Sequence, residues 1–136
     1  MTNNWNSGII EEFRSNAGKV GGPFASAELL LLTTTGRKSG RPHTTPLMTL
    51  REGDTIYVFA SKGGAPTNPD WFHNLKANPA VHVELGNASF RADTMVVRGE
   101  ERDRIYAKQS QLRPLFAEYQ QKTTRKIPVV ALTRRN

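Results

Sequence analysis

The segment LLLLTTTGRKSGRPHTTPL, residues 29–47, contains two strand-forming runs on either side of a short turn. Leucines and threonines favour extended backbone before the turn, and threonines recur after it. The turn, Gly36–Arg41, concentrates three cationic side chains between or beside two glycines. This pattern predicts a β-hairpin, with a strand at Leu29–Thr35 and a second at Thr44–Leu50, whose tip is strongly cationic.

Four further runs rich in β-branched and aromatic residues predict strands along the chain. These runs are Thr55–Ala60, Val81–Leu85, Ser89–Arg98 and Ile127–Thr133. Pro46 inside the second strand predicts an edge position or a bulge, because proline donates no backbone hydrogen bond. Six short strands with few interrupting helices favour a small, mainly antiparallel barrel. They argue against a doubly wound nucleotide fold, in which strands and helices alternate.

Helical patterns occupy three segments between and around these strands. The segments are Ile9–Phe13, a helix with Asn68 as N-cap and Pro69 as first residue that ends at Pro79, and Glu100–Lys122 with a break at Pro114. The last segment carries an apolar stripe of Ile105, Leu112, Phe116 and Tyr119. We expect these helices to pack on the barrel.

The length of 136 residues suits one compact unit. We expect residues 1–28 to form an N-terminal segment that is partly helical or flexible, and residues 29–136 to form the barrel domain. No apolar run is long enough to cross a bilayer, and the N-terminal sequence lacks the basic and apolar regions of a secretory signal. These features predict a cytoplasmic protein.

Composition restricts the chemistry. The absence of cysteine excludes disulfides, iron–sulfur clusters and thiolate zinc sites, so any redox activity needs a bound cofactor. The net charge of +7 favours an anionic partner. His43, His73 and His82 lack metal-ligand spacing, and neither a Ser/His/Asp triad nor paired carboxylates can be recognised, so we predict neither a metal site nor hydrolysis.

Two glycine-containing loops carry the most chemical information. The cationic turn, Gly36–Arg41, lacks P-loop spacing and precedes a strand, so an anion there would be held by side chains and turn amides rather than by a helix dipole. The lysine loop, Ser61–Pro69, places Lys62 beside two glycines that permit close backbone approach to a ligand. Each loop alone also suits a solvated surface connection. Together, at strand ends, they predict two sides of one anion-binding cleft.

Three blocks of sequence resemble the deazaflavin-dependent nitroreductase family of actinobacteria. The blocks are LLLLTTTGRKSGRPHTTPL, VFASKGGAPTNPDWFHNLKANPAVHVEL and YQQKTTRKIPVVAL, which occur in that order within residues 29–132. The family adopts the split β-barrel of flavin mononucleotide (FMN) oxidoreductases and uses the reduced deazaflavin coenzyme F420 as hydride donor. F420 carries a phosphate and an oligoglutamate tail, so the resemblance explains why cations gather in the two loops.

The resemblance implies a cofactor site built from the hairpin, the lysine loop and the helix that follows. Its members would be Arg37, Lys38, Ser39, His43, Thr44, Thr45, Pro46, Leu47, Met48, Phe59, Ala60, Ser61, Lys62, Asp70, Trp71 and Asn74. The electron acceptor would contact Met48, Phe116 and Tyr119. By the same resemblance, Ser61 would polarise the acceptor, and Tyr119 would orient it or supply a proton.

Departures from the family pattern bear on the acceptor. Relatives that activate nitroimidazoles have tyrosine at the positions of Met48, Arg113 and Phe116, and only Tyr119 is kept here. Methionine cannot donate a hydrogen bond. We therefore expect a reductase of quinones, enones or nitroaromatics, with quinones and enones preferred to bicyclic nitroimidazoles. His43 stands where a close relative has arginine, so its neutral imidazole would hold the anionic tail less firmly.

Two other function classes stay open at this stage. The same barrel binds FMN or haem in more distant relatives, and a basic protein of this size also suits a non-enzymatic module for nucleic acid or an acidic membrane. A reductase with a peripheral contact at the inner face of the plasma membrane, made through Trp5, Ile9, Ile10 and Phe13, combines two of these ideas. Split barrels of this kind also often pair, which makes a homodimer a further expectation.

Overall fold

The computed structural model describes residues 4–21 and 28–135, excepting the side chains of residues 4–6. Its strands are β1 (Leu29–Thr35), β2 (Pro42–Glu52), β3 (Thr55–Phe59), β4 (Ala80–Leu85), β5 (Ala88–Val97) and β6 (Val129–Arg134). Its helices are α1 (Asn4–Ser15), α2 (Asp70–Ala77), α3 (Gly99–Leu112) and α4 (Leu115–Gln121), with a short 3-10 turn at Lys62–Gly64. Within these residues no helix is long and apolar enough to span a bilayer.

The six strands form a closed barrel in the order β1-β2-β3-β6-β5-β4. Every neighbouring pair is antiparallel, and pairing of β1 with β4 closes the barrel. The predicted fold class is therefore confirmed. β1 has the predicted bounds, whereas β2 extends from Pro42 to Glu52 and is longer than predicted.

Pro46 occupies a part of β2 that pairs with β1 alone. It lies opposite Leu31 of β1, while pairing of β2 with β3 begins only at Thr49. The Thr49 amide donates to the carbonyl of Glu28 on the β1 side, so the Pro46 nitrogen, three residues away, faces the unpaired side. A closed barrel thus retains a local edge that tolerates proline, as the sequence predicted.

The leucine run of β1 is buried on both faces. Leu30 and Leu32 point into the barrel core, whereas Leu29 and Leu31 pack under α1 with Ile9 and Phe13. Four consecutive leucines are therefore needed because α1 covers the outer face of this strand. α1 also extends well beyond the predicted Ile9–Phe13.

The predicted membrane contact of Ile9 and Phe13 is wrong, because both side chains are buried in this cluster and are only 7% and 2% exposed. Ile10 is half-buried. The side chain of Trp5 lies outside the described part of the chain.

A second apolar layer lies between the barrel and the pair α3 and α4. Phe59 of β3 makes edge-to-face contacts with Tyr106 and Phe116, at ring-centroid distances of 5.9 and 5.4 Å. The break predicted at Pro114 separates the two helices. The predicted apolar stripe is wrong at Leu112, which is 60% exposed because the chain turns away at the break.

The start of α2 differs by one residue from the prediction. Pro69 occupies the N-cap position with extended backbone, and the helix begins at Asp70. Asn68, the predicted N-cap, instead accepts a hydrogen bond from Arg125 through its side-chain oxygen. The competing arginine, distant in sequence, explains the difference.

Candidate cofactor site

A cavity of about 800 Å³ lies between the cationic turn, β2, α2 and α1. A pocket of this size suits a small-molecule cofactor. Its lining residues are Ser7, Ile10, Gly36, Arg37, Lys38, Ser39, Pro42, His43, Thr44, Thr45, Asp70, Trp71 and Asn74. The structure thus brings the hairpin tip and α2, far apart in sequence, to one site.

Backbone hydrogen bonds fix the shape of the cationic turn. The Gly36 amide donates to the Arg41 carbonyl at 2.8 Å, and the Gly40 amide donates to the Gly36 carbonyl at 2.9 Å. The Ser39 hydroxyl accepts from the Arg41 amide at 3.2 Å. Gly40 has a φ of +70°, a conformation that side chains with a Cβ rarely adopt. The turn therefore presents its cations from an ordered backbone.

Asn74 joins α2 to the cationic turn. Its buried side chain accepts a hydrogen bond from the Arg37 amide at 3.1 Å and donates to the Thr34 hydroxyl at 3.3 Å. Both ends of the amide are therefore satisfied by the end of β1 and the start of the turn. This geometry gives Asn74 a structural role at the site.

In the described part of the chain, the cationic side chains of the turn lack a protein partner. Among the residues that the structure describes, the side chains of Arg37, Lys38 and Arg41 have neither an ion pair nor a hydrogen bond. Seven other cationic residues pair with carboxylates, namely Arg14, Arg51, Arg102, Arg104, Lys108, Lys126 and Arg135. Of the three, Arg37 and Lys38 line the cavity and are therefore available to an anionic ligand there.

The cavity wall combines hydroxyls, an imidazole and an indole. Ser39 and the ring of His43 lie 3.4 Å apart, and Thr33 and Thr44 share a hydrogen bond of 2.8 Å between their hydroxyls. Trp71 is 6% exposed and belongs to the barrel core, and it also contributes to the cavity wall. Such a mixture suits a ligand with an apolar ring and an anionic end.

The lysine loop does not line this cavity. Lys62 is exposed, and its ammonium group donates to the Thr67 hydroxyl at 3.1 Å within the same loop. Ser61 is half-buried, and its carbonyl accepts from the Gly64 amide at 2.9 Å. The predicted single cleft with two cationic sides therefore stays a prediction, since only the cationic turn lines this cavity.

Gly64 docks the lysine loop against α4. A Cβ added at Gly64 would lie 2.8 Å from the Tyr119 carbonyl oxygen and 2.9 Å from the Cβ of Lys122, whereas one at Gly63 would meet nothing within 4 Å. Both glycines have positive φ values, +83° and +63°. An alanine would thus meet an unfavourable left-handed backbone at both positions, but only at position 64 would its methyl group lack space.

We expect Gly64→Ala to destabilise the protein by about 2 kcal/mol more than Gly63→Ala, because the added methyl group meets backbone that cannot move aside. Gly63→Ala should cost only the left-handed conformation, about 1–2 kcal/mol. Urea unfolding of both variants measures the difference. Equal stability of the two variants would contradict the close approach of the lysine loop to α4.

The residues predicted to contact the acceptor share one apolar cluster. Met48 and Tyr119 are half-buried and pack against it, and Phe116 is a buried member. The rings of Phe116 and Tyr119 lie 5.5 Å apart at 72°. Phe116 is only 4% exposed, so it supports Tyr119 from behind rather than presenting a free face.

Tyr119 retains its proton at neutral pH. Burial raises the pKa of its hydroxyl, and the nearby carboxylate of Glu118 adds to the rise. The Lys122 ammonium lies 6.0 Å from the ring centroid. A partly exposed phenol with a raised pKa is a hydrogen-bond donor and a weak acid across the neutral range.

Of the sequence-predicted cofactor residues, nine line the cavity and the others lie elsewhere. The nine are Arg37, Lys38, Ser39, His43, Thr44, Thr45, Asp70, Trp71 and Asn74. Pro46, Leu47 and Met48 continue along β2 as half-buried residues. The side chains of Phe59 and Ala60 are buried in the cores, which leaves only their backbone to meet a ligand.

Two contributors from α1, Ser7 and Ile10, were missed by sequence reasoning. Neither carries a chemical motif, and only the packing of α1 over β1 brings them to the cavity. The described residues contain no group of three or more His, Cys, Asp or Glu side chains placed to hold a metal ion.

A smaller cavity of about 360 Å³ lies on the other side of α2. Its cations include Arg102, which donates to the Ile127 carbonyl, and Lys126, which pairs with Asp103. Lys76, which lies over the Phe72 ring, and Arg98 also line it. The larger cavity has more than twice the volume and two cations without a partner among the described residues, so it is the stronger candidate for an anionic ligand.

Comparisons with known proteins agree with the barrel fold and identify the family. A family model described as F420H(2)-dependent quinone reductase matches residues 8–134. An F420H(2)-dependent quinone reductase of Mycobacterium tuberculosis (strain ATCC 25618 / H37Rv) is 41% identical over 129 residues, covering 90% of this chain and 85% of the relative.

Two solved structures extend the comparison. One, an F420-H2 dependent reductase (FDR-A), is 41% identical with a TM-score of 0.70 and covers 76% of this chain and 92% of its own. Another, described as a domain-swapped dimer, is 34% identical with a TM-score of 0.71 and covers 93% and 98%. The predicted resemblance to deazaflavin-dependent reductases with a split barrel is confirmed.

Proposed function

The chain belongs to the F420H(2)-dependent quinone reductase family, and we propose that it transfers hydride from reduced F420 to a quinone or another electron-poor acceptor. The observation that carries this proposal is the cavity lined by Arg37 and Lys38, two cations with no partner among the described residues. F420, with its phosphate and oligoglutamate tail, is the cofactor that the family implies.

The donors of the cavity fit this cofactor. Arg37, Lys38 and the Ser39 hydroxyl would hold the anionic end through charge-assisted hydrogen bonds. Trp71 would pack against the apolar ring, and Asp70 would accept hydrogen bonds from hydroxyl groups of the linker. A single phosphate, as in FMN, would leave part of this cationic surface unused. The matching family model and two of the relatives reported above carry F420 in their names, and none of the names mentions FMN.

Bound F420 in its reduced form supplies a hydride. The protein then has three tasks, which are to orient the acceptor, to limit access of bulk water and to provide a proton. Two-electron reduction of a quinone to a hydroquinone requires a proton in addition to the hydride. Tyr119 would donate this proton or hold the acceptor oxygen, and the Ser61 hydroxyl would polarise the same oxygen.

An absorbance assay with reduced F420 and menadione, a soluble quinone, tests the proposed function. We expect reduced F420 to be oxidised only when protein and quinone are both present. A matched reaction with reduced FMN in place of reduced F420 should show no protein-dependent rate. Failure of the protein to accelerate oxidation with menadione, duroquinone or cyclohexenone would overturn the proposal.

Tyr119→Phe should lower kcat by about 100-fold if the hydroxyl supplies the proton. Because burial raises the pKa of Tyr119, the protonated form is present below the raised pKa and is lost as the pH increases through it. The wild type should therefore lose activity at alkaline pH, and the variant should lack this alkaline decline. Phe116→Leu, which alters only the support behind the ring, is the matched control and should keep the decline.

A homodimer is the proposed assembly, because a solved relative at 34% identity is described as a domain-swapped dimer. Light scattering after size-exclusion chromatography measures the mass directly. A measured mass equal to that of one chain at every accessible protein concentration would contradict the homodimer.

A peripheral contact with an anionic bilayer is proposed from the net charge of +7 alone, since Ile9 and Phe13 are buried. Co-sedimentation with vesicles that contain 30% phosphatidylserine, about the level that gives a strong surface potential, tests it. Equal recovery with neutral vesicles would contradict an electrostatic contact.

A further inference from the structure

Arg125 joins the two ends of the lysine loop through its guanidinium group. The Nη1 atom donates to the Ala60 carbonyl at 3.2 Å and to the Asn68 side chain at 2.8 Å. The Nη2 atom donates to the Ser61 carbonyl at 2.9 Å, and Nε donates to the Ala65 carbonyl at 2.9 Å. Four of the five guanidinium N–H donors are thus used by the lysine loop and the residue that precedes it.

Arg125 is itself held in place by the helical layer. The backbone carbonyl of Arg125 accepts a hydrogen bond from the side-chain amide nitrogen of Gln120 at 2.7 Å. The Gln120 oxygen in turn accepts from Arg102 at 2.7 Å and from the Ile127 amide at 3.0 Å. Burial lowers the pKa of Arg125 from its ordinary value. The loop therefore rests on a partly buried polar network that extends to α3 and α4.

The loop that Arg125 holds contains an unfavourable backbone conformation. Lys62 has a φ of +47°, in the left-handed region that disfavours residues with a Cβ. Gly63 and Gly64, which follow it, also have positive φ. Backbone of this kind persists where the surrounding structure imposes it, and it often occurs at ligand sites.

We propose that Arg125 is a positioning residue that orders the lysine loop so that the Lys62 ammonium is available to an anionic cofactor. The inference rests on the proposed function and on the sequence prediction that Lys62 is one of the cofactor ligands. Arg125 acts through the loop, since the hydrogen bonds above occupy most of its guanidinium donors.

Amide hydrogen exchange of the protein without cofactor tests the ordering directly. The Gly64 and Ala65 amides donate to the carbonyls of Ser61 and Lys62 within the loop, so their exchange reports its order. We expect Arg125→Ala to accelerate exchange of both amides at least tenfold and to leave amides between β1 and β4 unchanged. Arg104→Ala, which removes an arginine paired on the surface, is the matched control and should change neither group.

A double-mutant cycle on F420 affinity, measured by fluorescence, tests whether Arg125 acts through Lys62. We expect Arg125→Ala and Lys62→Ala each to weaken binding about tenfold, and the double variant to weaken it by no more than about thirtyfold. Arg125→Ala combined with Arg37→Ala should instead weaken binding by the product of the single effects. A role of Arg125 in overall stability alone would not produce this selective coupling.

Arg125→Lys guards against a variant that fails to fold, because lysine keeps the charge and stem but lacks the fork of donors. Arg125→Lys should accelerate hydrogen exchange of the Gly64 and Ala65 amides at least threefold. The positioning role would be overturned if both variants left the exchange of the Gly64 and Ala65 amides unchanged, or if the effects of Arg125→Ala and Lys62→Ala on affinity multiplied. In either case, F420 binding by the wild type would still uphold the proposed function. Absence of F420 binding by the wild type would overturn both.

Discussion

Removing both cations of the turn, in Arg37→Ala/Lys38→Ala, should weaken F420 binding by roughly 100-fold. Both side chains line the cavity and have no partner among the described residues, so their loss removes interactions with the ligand rather than with the protein. Each charge-assisted hydrogen bond contributes about 1.5 kcal/mol at the lower end of the usual range, and two of them account for the expected change. Fluorescence titration at fixed ionic strength measures it.

The matched control for this double variant is Arg104→Ala/Lys108→Ala. It removes the same number of charges, but from two residues that pair with Glu52 on the surface. Arg104 and Lys108 lower the pKa of Glu52 to about 2, which reflects their engagement with that carboxylate. F420 affinity should change less than threefold in the control. A loss similar to that of the cavity variant would mean that net charge, and not the site, governs binding.

Arg102→Ala should destabilise the protein strongly, with the free energy of unfolding lowered by about 2–4 kcal/mol. Arg102 is 8% exposed and donates to the Ile127 carbonyl at 3.0 and 2.8 Å. Its guanidinium also lies 4.5 Å from the centroid of the Tyr106 ring. Truncation leaves a buried carbonyl without its donors and a space beside the ring. Urea denaturation measures the loss.

Arg104→Ala gives the comparison on the same helix. Its guanidinium is half-exposed and pairs with Glu52 and Glu101, and exposed ion pairs of this kind stabilise by at most about 1 kcal/mol. A loss for Arg102→Ala no greater than that for Arg104→Ala would contradict the account of the buried network.

The barrel and the hairpin tip could be predicted because local features determine them. β1 has the predicted bounds, since four leucines and three threonines favour a strand and Gly36 ends it. Nine predicted cofactor residues meet in one cavity because the resemblance covered the hairpin and α2 in order. Pro46 was also informative, because its missing donor matches the unpaired side of β2.

Contacts between distant segments explain what the sequence did not predict. Ser7 and Ile10 reach the cavity only because α1 covers β1. Asn68 has the residue type of an N-cap, yet Arg125, 57 positions away, takes its side chain. Arg125 itself looked like one of several cations at the end of the chain, and nothing local distinguishes it from Lys126, which pairs at the surface.

Titration of the wild type with oxidised F420 and, in parallel, with FMN tests the central claim most directly. If the cavity and the lysine loop bind the anionic part of the cofactor, F420 should bind at least tenfold more tightly than FMN at low salt. The difference should shrink as salt screens the additional charges of the tail. FMN affinity equal to or greater than that for F420, or no F420 binding at any salt concentration, would contradict the account.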